Sequence, residues 1–593
     1  MIEPQVIPDP VFDSLVGGEG GREAVLLLRR SRRSRSLLLL KQVLDGPCGP
    51  AASAAADVLA DVERAAPAAV ASVLDGPSFG SWARHATRAC PAHRHDGRCA
   101  TQGLAAFAAV AAVRADTAVT VSVPSYDGLL HLPGLGTAMT SGSSPQALVV
   151  TGDGPAVQIR SAGHVLRLPR DHSRAGRDWQ PVAWLRAEHR GLALALPLET
   201  ADRLLPALDT VQARPAAWQG LLRSAWELLV ERHPRRAEEL ASGLTAIVPL
   251  PAPARGVTSS TSRHAFGAVL TSWPAEPQRM ALTLLHEFQH SKLSALTDLV
   301  TLYEPGGRPW LFAPWRPDPR PPGGLLQGIY AHLGDLAFWH DLGGVVRDAE
   351  QADAAWRFAQ VRAHVERGLA EAAAHVRLTA LGERFLARAG KTVRALDSRA
   401  RGSVDERLLR AVARVEAGSE AVWRLRWAMT EATPGVRRLA ALWLAALPAG
   451  RLPADEIGSA PSAPDGPGPE LARWAARQRG ADRAVPVAAA AQAAAARPDH
   501  VERWAELAAA AEAEQVAGAF VLGRRTELVK ALFLELAGGD PALAGPGGAA
   551  DPLALAAWLE QTEPRPEDGT VQNIGVSMSQ NARSPLRNTR ATG

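Results

Sequence analysis

The sequence predicts an α+β fold, predominantly α-helical, with an antiparallel β segment in the N-terminal half and helices forming a metal-binding core and the C-terminal half. Three observations predict it. Apolar residues recur at three- and four-residue steps through most of the chain, the spacing that lines one face of a helix. Between residues 117 and 200 that pattern gives way to short apolar runs broken by Gly, Pro, Ser and Asp, as strands joined by tight turns require. From Pro277 the helical period returns, and it carries a His-Glu-x-x-His motif.

Taken in order, residues 1–116 form an N-terminal helical region. Residues 22–44 read as a helix through Ala24, Leu27, Leu28, Leu37, Leu38 and Val43. The run Arg29, Arg30, Arg32, Arg33 and Arg35 then lies partly on its solvated face, with a phosphate- or peptide-binding patch as the alternative. The preceding Val16-Gly-Gly-Glu-Gly-Gly21 lacks the Lys-Ser/Thr ending of a phosphate loop and reads as a flexible connection. Ala-rich helices follow over about 51–75 and 101–115. A mixed β/α region spans 117–275, with strands near 118–123, 147–151, 157–160 and 191–196, helices near 200–243, and β stretches at 244–250 and 263–271. The helical catalytic region is 276–457. Residues 458–469, rich in Gly, Pro and Ser, form a linker to Ala-rich helices at 470–562. Residues 563–593 hold scarcely any apolar residue and read as a disordered tail.

Composition excludes several classes. A chain of 593 residues implies two to four domains. With 47% hydrophobic and 21% charged residues it is globular rather than disordered. A net charge of 65 − 61 = +4 is too small an excess for a nucleic-acid binder. Three cysteines make no disulfide framework. Cys90, His93, His95 and Cys99 put four ligand types in one short loop, but their spacing fits no familiar zinc knuckle, so free thiols are the reading. No apolar run approaches the roughly 18 residues of a membrane span, and no signal peptide opens the chain. A cytoplasmic protein is expected.

The informative stretch is His286-Glu-Phe-Gln-His290, embedded in a run whose Leu282, Leu285, Leu293, Leu296 and Val300 make one apolar helical stripe. Imidazoles four residues apart project from adjacent turns, so His286 and His290 reach one ion. With 16 histidines in the chain, such a motif arises by chance on the order of 0.02 times. Two ligands do not complete a site. Leu296 stands where one peptidase class has its third His, and Glu304 is too close to serve as in another. Residues 323–339 read as a second helix that delivers His332, unless His332 is a core histidine; Asp335 and His340 are weaker candidates. Asp298 lies roughly 12 Å along the helix from His290, too far to join. Trp315, Tyr330 and Trp339 read as core or pocket wall.

The run 286–293 (His-Glu-Phe-Gln-His-Ser-Lys-Leu), then 313–321 (Ala-Pro-Trp-Arg-Pro-Asp-Pro-Arg-Pro) and 323–332 (Gly-Gly-Leu-Leu-Gln-Gly-Ile-Tyr-Ala-His), resembles the HExxH-motif peptide-modification family, whose domains stand alone or follow radical-SAM peptide maturases. The resemblance covers about residues 8–450 and is tightest over 260–340. It implies an iron(II)/2-oxoglutarate-dependent dioxygenase that β-hydroxylates a side chain of a ribosomally synthesised precursor peptide. His286, His290 and His332 would then hold Fe(II), leaving positions for 2-oxoglutarate and oxygen. Arg316 and Arg320 are the candidate cosubstrate anchors, because Arg pairs best with carboxylates, and Lys292 is in reserve. Plain salt bridges are the competing role for all three. Glu287 would orient a ligand or cosubstrate; in a zinc metallopeptidase, the first alternative, it would be the general base. A non-catalytic peptide-binding protein with a structural metal is the second alternative.

Overall fold

The computed structural model describes residues 6–46, 50–89, 103–125, 128–140, 146–150, 157–161, 164–169, 171–199, 214–253, 256–343, 349–400, 405–427, 436, 439–440, 485–539 and 550–561. The Cys90–His93–His95–Cys99 group, the 458–469 linker and the 563–593 tail lie outside them. The fold is α+β and mostly α. It divides into two compact units, residues 1–412 and 413–593.

The first unit opens with α1 (Asp9–Val16), α2 (Gly21–Asp45), α3 (Pro50–Ala65), α4 (Pro67–Leu74), α5 (Pro77–Ala89) and α6 (Leu104–Arg114). Pro67 splits the Ala-rich 51–75 stretch, since proline suits a first helical turn but not a helix interior. Two small antiparallel sheets follow as predicted. One has the order β1 (Val119–Val123), β4 (Gln146–Val150), β5 (Val157–Ser161), β6 (His164–Arg167); the other is β2 (Leu129–Leu132), β3 (Gly136–Met139), β7 (Trp179–Pro181). They share a core with α3–α6, centred on Phe79, Trp82 and Phe107, whose rings meet at 5.1–5.5 Å.

A third sheet is mixed: its two strands within 117–200 pair antiparallel, as expected. Its order is β11 (Ser259–Ser260), β12 (Ala268–Thr271), β10 (Ala246–Pro249), β9 (Leu192–Leu198), β8 (Ala183–His189), and β10 runs parallel to both neighbours. Between β9 and β10 the chain passes through α7 (Pro215–Arg232) and α8 (Pro234–Gly243), the helical crossover that parallel pairing demands. Every residue of β10 and β12 is buried, as in parallel sheets covered on both faces.

Around this sheet lies the largest core. It joins α1, the start of α2, α7 and α8 to α9 (Pro277–Leu296), α10 (Pro322–Gly343), α11 (Ala349–His375) and α12 (Ala380–Ala400). Helix α1 packs in the core of the motif helix, and α3–α6 in the core of the small sheets. The motif helix α9 is buried beyond its one apolar stripe: Leu284, Phe288 and Lys292 are covered on one face, and Thr283 and Glu287 on another.

Two further readings change. The Arg run of α2 is only partly a solvated face: Arg30 is exposed, but Arg32 is buried and pairs, with Arg35, to Asp298, while Arg29 and Arg33 clasp Asp75. The Gly-rich segment 16–21 is fixed rather than flexible. The Gly18 carbonyl accepts from Arg236, from Gln289 Nε2 at 2.9 Å and from Lys292 Nζ at 3.3 Å. Gly18 adopts φ +91° with a Cβ position 3.3 Å from Leu333, so only glycine sits there without strain.

Helix α13 (Glu406–Trp427) spans the division between the units. In the second unit, α14 (Val487–Ala496), α15 (Val501–Glu514), α16 (Ala519–Arg524), α17 (Thr526–Gly539) and α18 (Pro552–Glu560) pack an Ala-rich core around Trp504 and Phe533. Asp551 caps α18, its carboxylate accepting from the Leu553 and Ala554 amides.

Candidate metal centre

Helices α9 and α10 bring three imidazoles together. His286 stands between the other two, its ring 4.9 Å from His290 and 5.3 Å from His332. Each ring is held by its Nδ1. His286 Nδ1 meets the Asp335 carboxylate at 2.9 Å, His290 Nδ1 the Gln327 side-chain oxygen at 3.1 Å, and His332 Nδ1 the Gly328 carbonyl at 2.8 Å. Engaging Nδ1 fixes the ring and leaves Nε2 as the nitrogen for a cation, the arrangement by which outer partners orient metal-binding histidines. Gln327 is itself positioned, donating to Ser294 Oγ at 3.1 Å.

Packing sets His332 in place. Trp315 stacks on it, with ring centroids 4.6 Å apart and 26° between planes. The indole lies on α10 where Gly328 has no side chain; a Cβ there would come within 2.2 Å of it. Trp315 is thus pocket wall, as expected, and it lines the cavity.

The tightest group of ligand atoms, all within 4.8 Å of one another, belongs to His286, His332 and Asp335 rather than to the three histidines. Asp335 is buried, and its Oδ1 has no hydrogen-bond partner while Oδ2 holds His286. That orphaned oxygen beside two imidazoles fits a cation. Asp335 Oδ2 grips the Nδ1 edge of His286, opposite Nε2, where a carboxylate orients the ring; His290 lies beside the group but outside it. His340 pairs with Asp341 and Glu304 with Arg377, outside the group.

Electrostatics follow from burial and Asp335. Burial alone would lower the His286 pKa, but the Asp335 carboxylate more than reverses this and carries it to about 9. Burial lowers His332 to about 3, with Asp335 only partly opposing. His290 is lowered by burial and by the charge on His286. Asp335 is raised by burial but lowered further by His286, and so ends below the usual carboxylate range. His290 and His332 are therefore neutral, as ligands must be, and His286 must give up a proton to a cation.

The three histidines open on a cavity of about 1170 Å³. Glu287 also lines it, buried, with Thr261 Oγ1 donating to its Oε2 at 2.6 Å. Arg316 and Arg320 line the cavity as well, sharing the single carboxylate of Asp318 at 2.8 and 3.3 Å. Lys292 does not. It points to the opposite side of α9, fully buried, with Nζ 2.6 Å from Glu239 and 2.9 Å from the Glu19 carbonyl. Asp298 is remote from the ion site, as its spacing predicts, and is held by Arg32, Arg35 and Arg263. Tyr330 is core, donating to the Leu15 carbonyl at 2.6 Å.

Sequence reasoning ranked Asp335 low, although three residues after His332 is one helical turn and was the available signal. Thr261 and Gln327 carry no local signal, since each acts across 26 to 37 residues of chain. No family model matches the chain, and no curated protein matches it. Among the described residues, no helix is long and apolar enough to cross a membrane.

Proposed function

We propose that the chain is an iron(II)/2-oxoglutarate-dependent enzyme that hydroxylates the β-carbon of a side chain in a ribosomally made peptide. The observation that carries a metal-dependent reading is the set of three imidazoles, each anchored through Nδ1 and facing one cavity. The choice of iron and 2-oxoglutarate rests on the resemblance around residues 260–340. His286, His290 and His332 would hold the ion on one side, leaving the cavity side for other ligands. Iron with 2-oxoglutarate supplies oxidation of an unactivated carbon by molecular oxygen, releasing succinate and carbon dioxide. Asp335 sets the orientation and charge of His286. Arg316 and Arg320 share one carboxylate between two guanidiniums, an excess positive charge suited to the far carboxylate of 2-oxoglutarate. Glu287, tied to Thr261, orients what binds beside the histidines.

A zinc metallopeptidase is the second reading, favoured by the position of Glu287 on the cavity wall, where a general base for hydrolysis belongs. Anaerobic addition of iron(II) and then 2-oxoglutarate separates the two. A weak visible charge-transfer band that vanishes in His286→Ala and His290→Ala supports the oxygenase. Tight zinc binding with peptide cleavage and no such band replaces it with the peptidase.

A further inference from the structure

The cavity is a trough along α9. Its lining runs from Arg279, in the first turn, to Thr297 at the C-cap, 18 residues or roughly 27 Å at helical rise. That length suits about eight residues of extended chain, at roughly 3.3 Å each. One wall is β11, the terminal strand of its sheet. The Ser272 amide donates to the Thr258 carbonyl at 2.9 Å, so antiparallel alternation turns the backbone of Ser259 away from β12, on the free edge.

The trough is also cationic. Arg263, Arg279, Arg316 and Arg320 line it, while Glu287 is the single lining carboxylate among the described residues. Arg263 is paired with Asp298, and Arg316 and Arg320 with Asp318. Arg279 is exposed, and among the described residues it has no carboxylate partner. It occupies the first turn of α9, which holds no acidic residue. A cation there opposes the helix dipole, so folding gives no reason for it. Arg279 lies seven residues before His286, on the same face and roughly 10 Å along the axis.

Resting on the reading of a polypeptide substrate, we propose that the trough takes an acidic peptide segment in extended form. Arg279 anchors one of its carboxylates about three residues from the residue presented to the histidines. Arg279 is thus a specificity-determining residue, and the substrate class is a peptide with Asp or Glu at that offset.

The test uses the zinc-loaded full chain and fluorescein-labelled Gly/Ser/Thr decapeptides around a central Val, with one Glu moved through each position and a Gln-containing control. Fluorescence anisotropy should show Glu peptides binding about tenfold tighter than the control at one preferred offset. Arg279→Gln should remove that advantage at an unchanged thermal midpoint, and Arg279→Glu should transfer it to a further peptide with Lys in place of that Glu. Equal binding of Glu and Gln peptides, or no binding up to millimolar peptide, overturns the proposal. So does an Arg279→Gln effect confined to succinate, which would make Arg279 an anchor for a small dicarboxylate instead. The outcome is independent of the charge-transfer band: Arg279-dependent binding without a band sinks only the hydroxylase reading, and a band without Glu preference sinks only this one.

Discussion

The two sides of α9 both carry buried polar groups, yet they do opposite things. On one side Lys292 and Gln289 meet Glu239 and the Gly18 carbonyl, and opposite charges neutralise each other inside the core. On the other, His286 and His290 satisfy only one nitrogen each and face the cavity with the second. The Lys292–Glu239 pair closes on itself, although Gln289 keeps one buried oxygen without a partner; nitrogens left open towards a cavity instead mark a place for a ligand. One helix thus separates what holds the fold from what faces the cavity, one to six residues apart in sequence.

Breaking the closed side should have the largest effect. Lys292→Met strands the buried Glu239 carboxylate and should cost about 3–5 kcal/mol in urea unfolding. The double variant Lys292→Met/Glu239→Leu should recover most of that loss; if it recovers none, the pair is not the source. On the open side, His286→Ala, His290→Ala and His332→Ala should each weaken metal binding by more than the ~10–100-fold that outer partners contribute. Unchanged metal stoichiometry in His332→Ala would remove it from the site. Asp335→Asn should fall within that ~10–100-fold range if Asp335 stands behind His286, and beyond it if its oxygen binds the ion directly.

The pH dependence sharpens the contrast. His286 keeps its proton up to about pH 9 because Asp335 outweighs burial. A cation on Nε2 must displace that proton, so apparent affinity should rise about tenfold per pH unit up to about 9 and then level. Titration calorimetry in two buffers should register about one proton released at pH 7. A flat profile from pH 7 to 9 would mean that Asp335 does not hold His286 in this way. The smallest effect is expected for Thr261→Val, which removes the hydroxyl from Glu287 and should cost about 1 kcal/mol of stability.

What the sequence made legible was local. The motif helix, the second helix with His332 and the mostly helical fold class all rest on periodicities within some twenty residues. What it hid was set by distant partners. Nothing in the Arg-Ser run of α2 reveals Asp298 or Asp75, and without them a basic run looks solvated. The apolar runs at 246–249 and 268–271 look alike whether paired parallel or antiparallel; the connections decide, through α7 and α8 from β9 to β10 and through the segment carrying β11 from β10 to β12. Lys292 illustrates the same limit. A lysine two residues after a metal-motif histidine invites a role in the site, but a 100° step per residue carries it to the far side of the helix.

The Gly18 carbonyl has a consequence for the order of assembly. Its donors, Arg236, Gln289 and Lys292, lie 218 to 274 residues further along the chain. This turn is made well before its donors and cannot be locked until α8 and α9 exist to receive it. Contacts of such sequence separation are closed late because the loop entropy is spent before they reward it. The back of the motif helix is sealed only when these long-range contacts close, so the histidine-bearing face gains that support later than its own helical turns form.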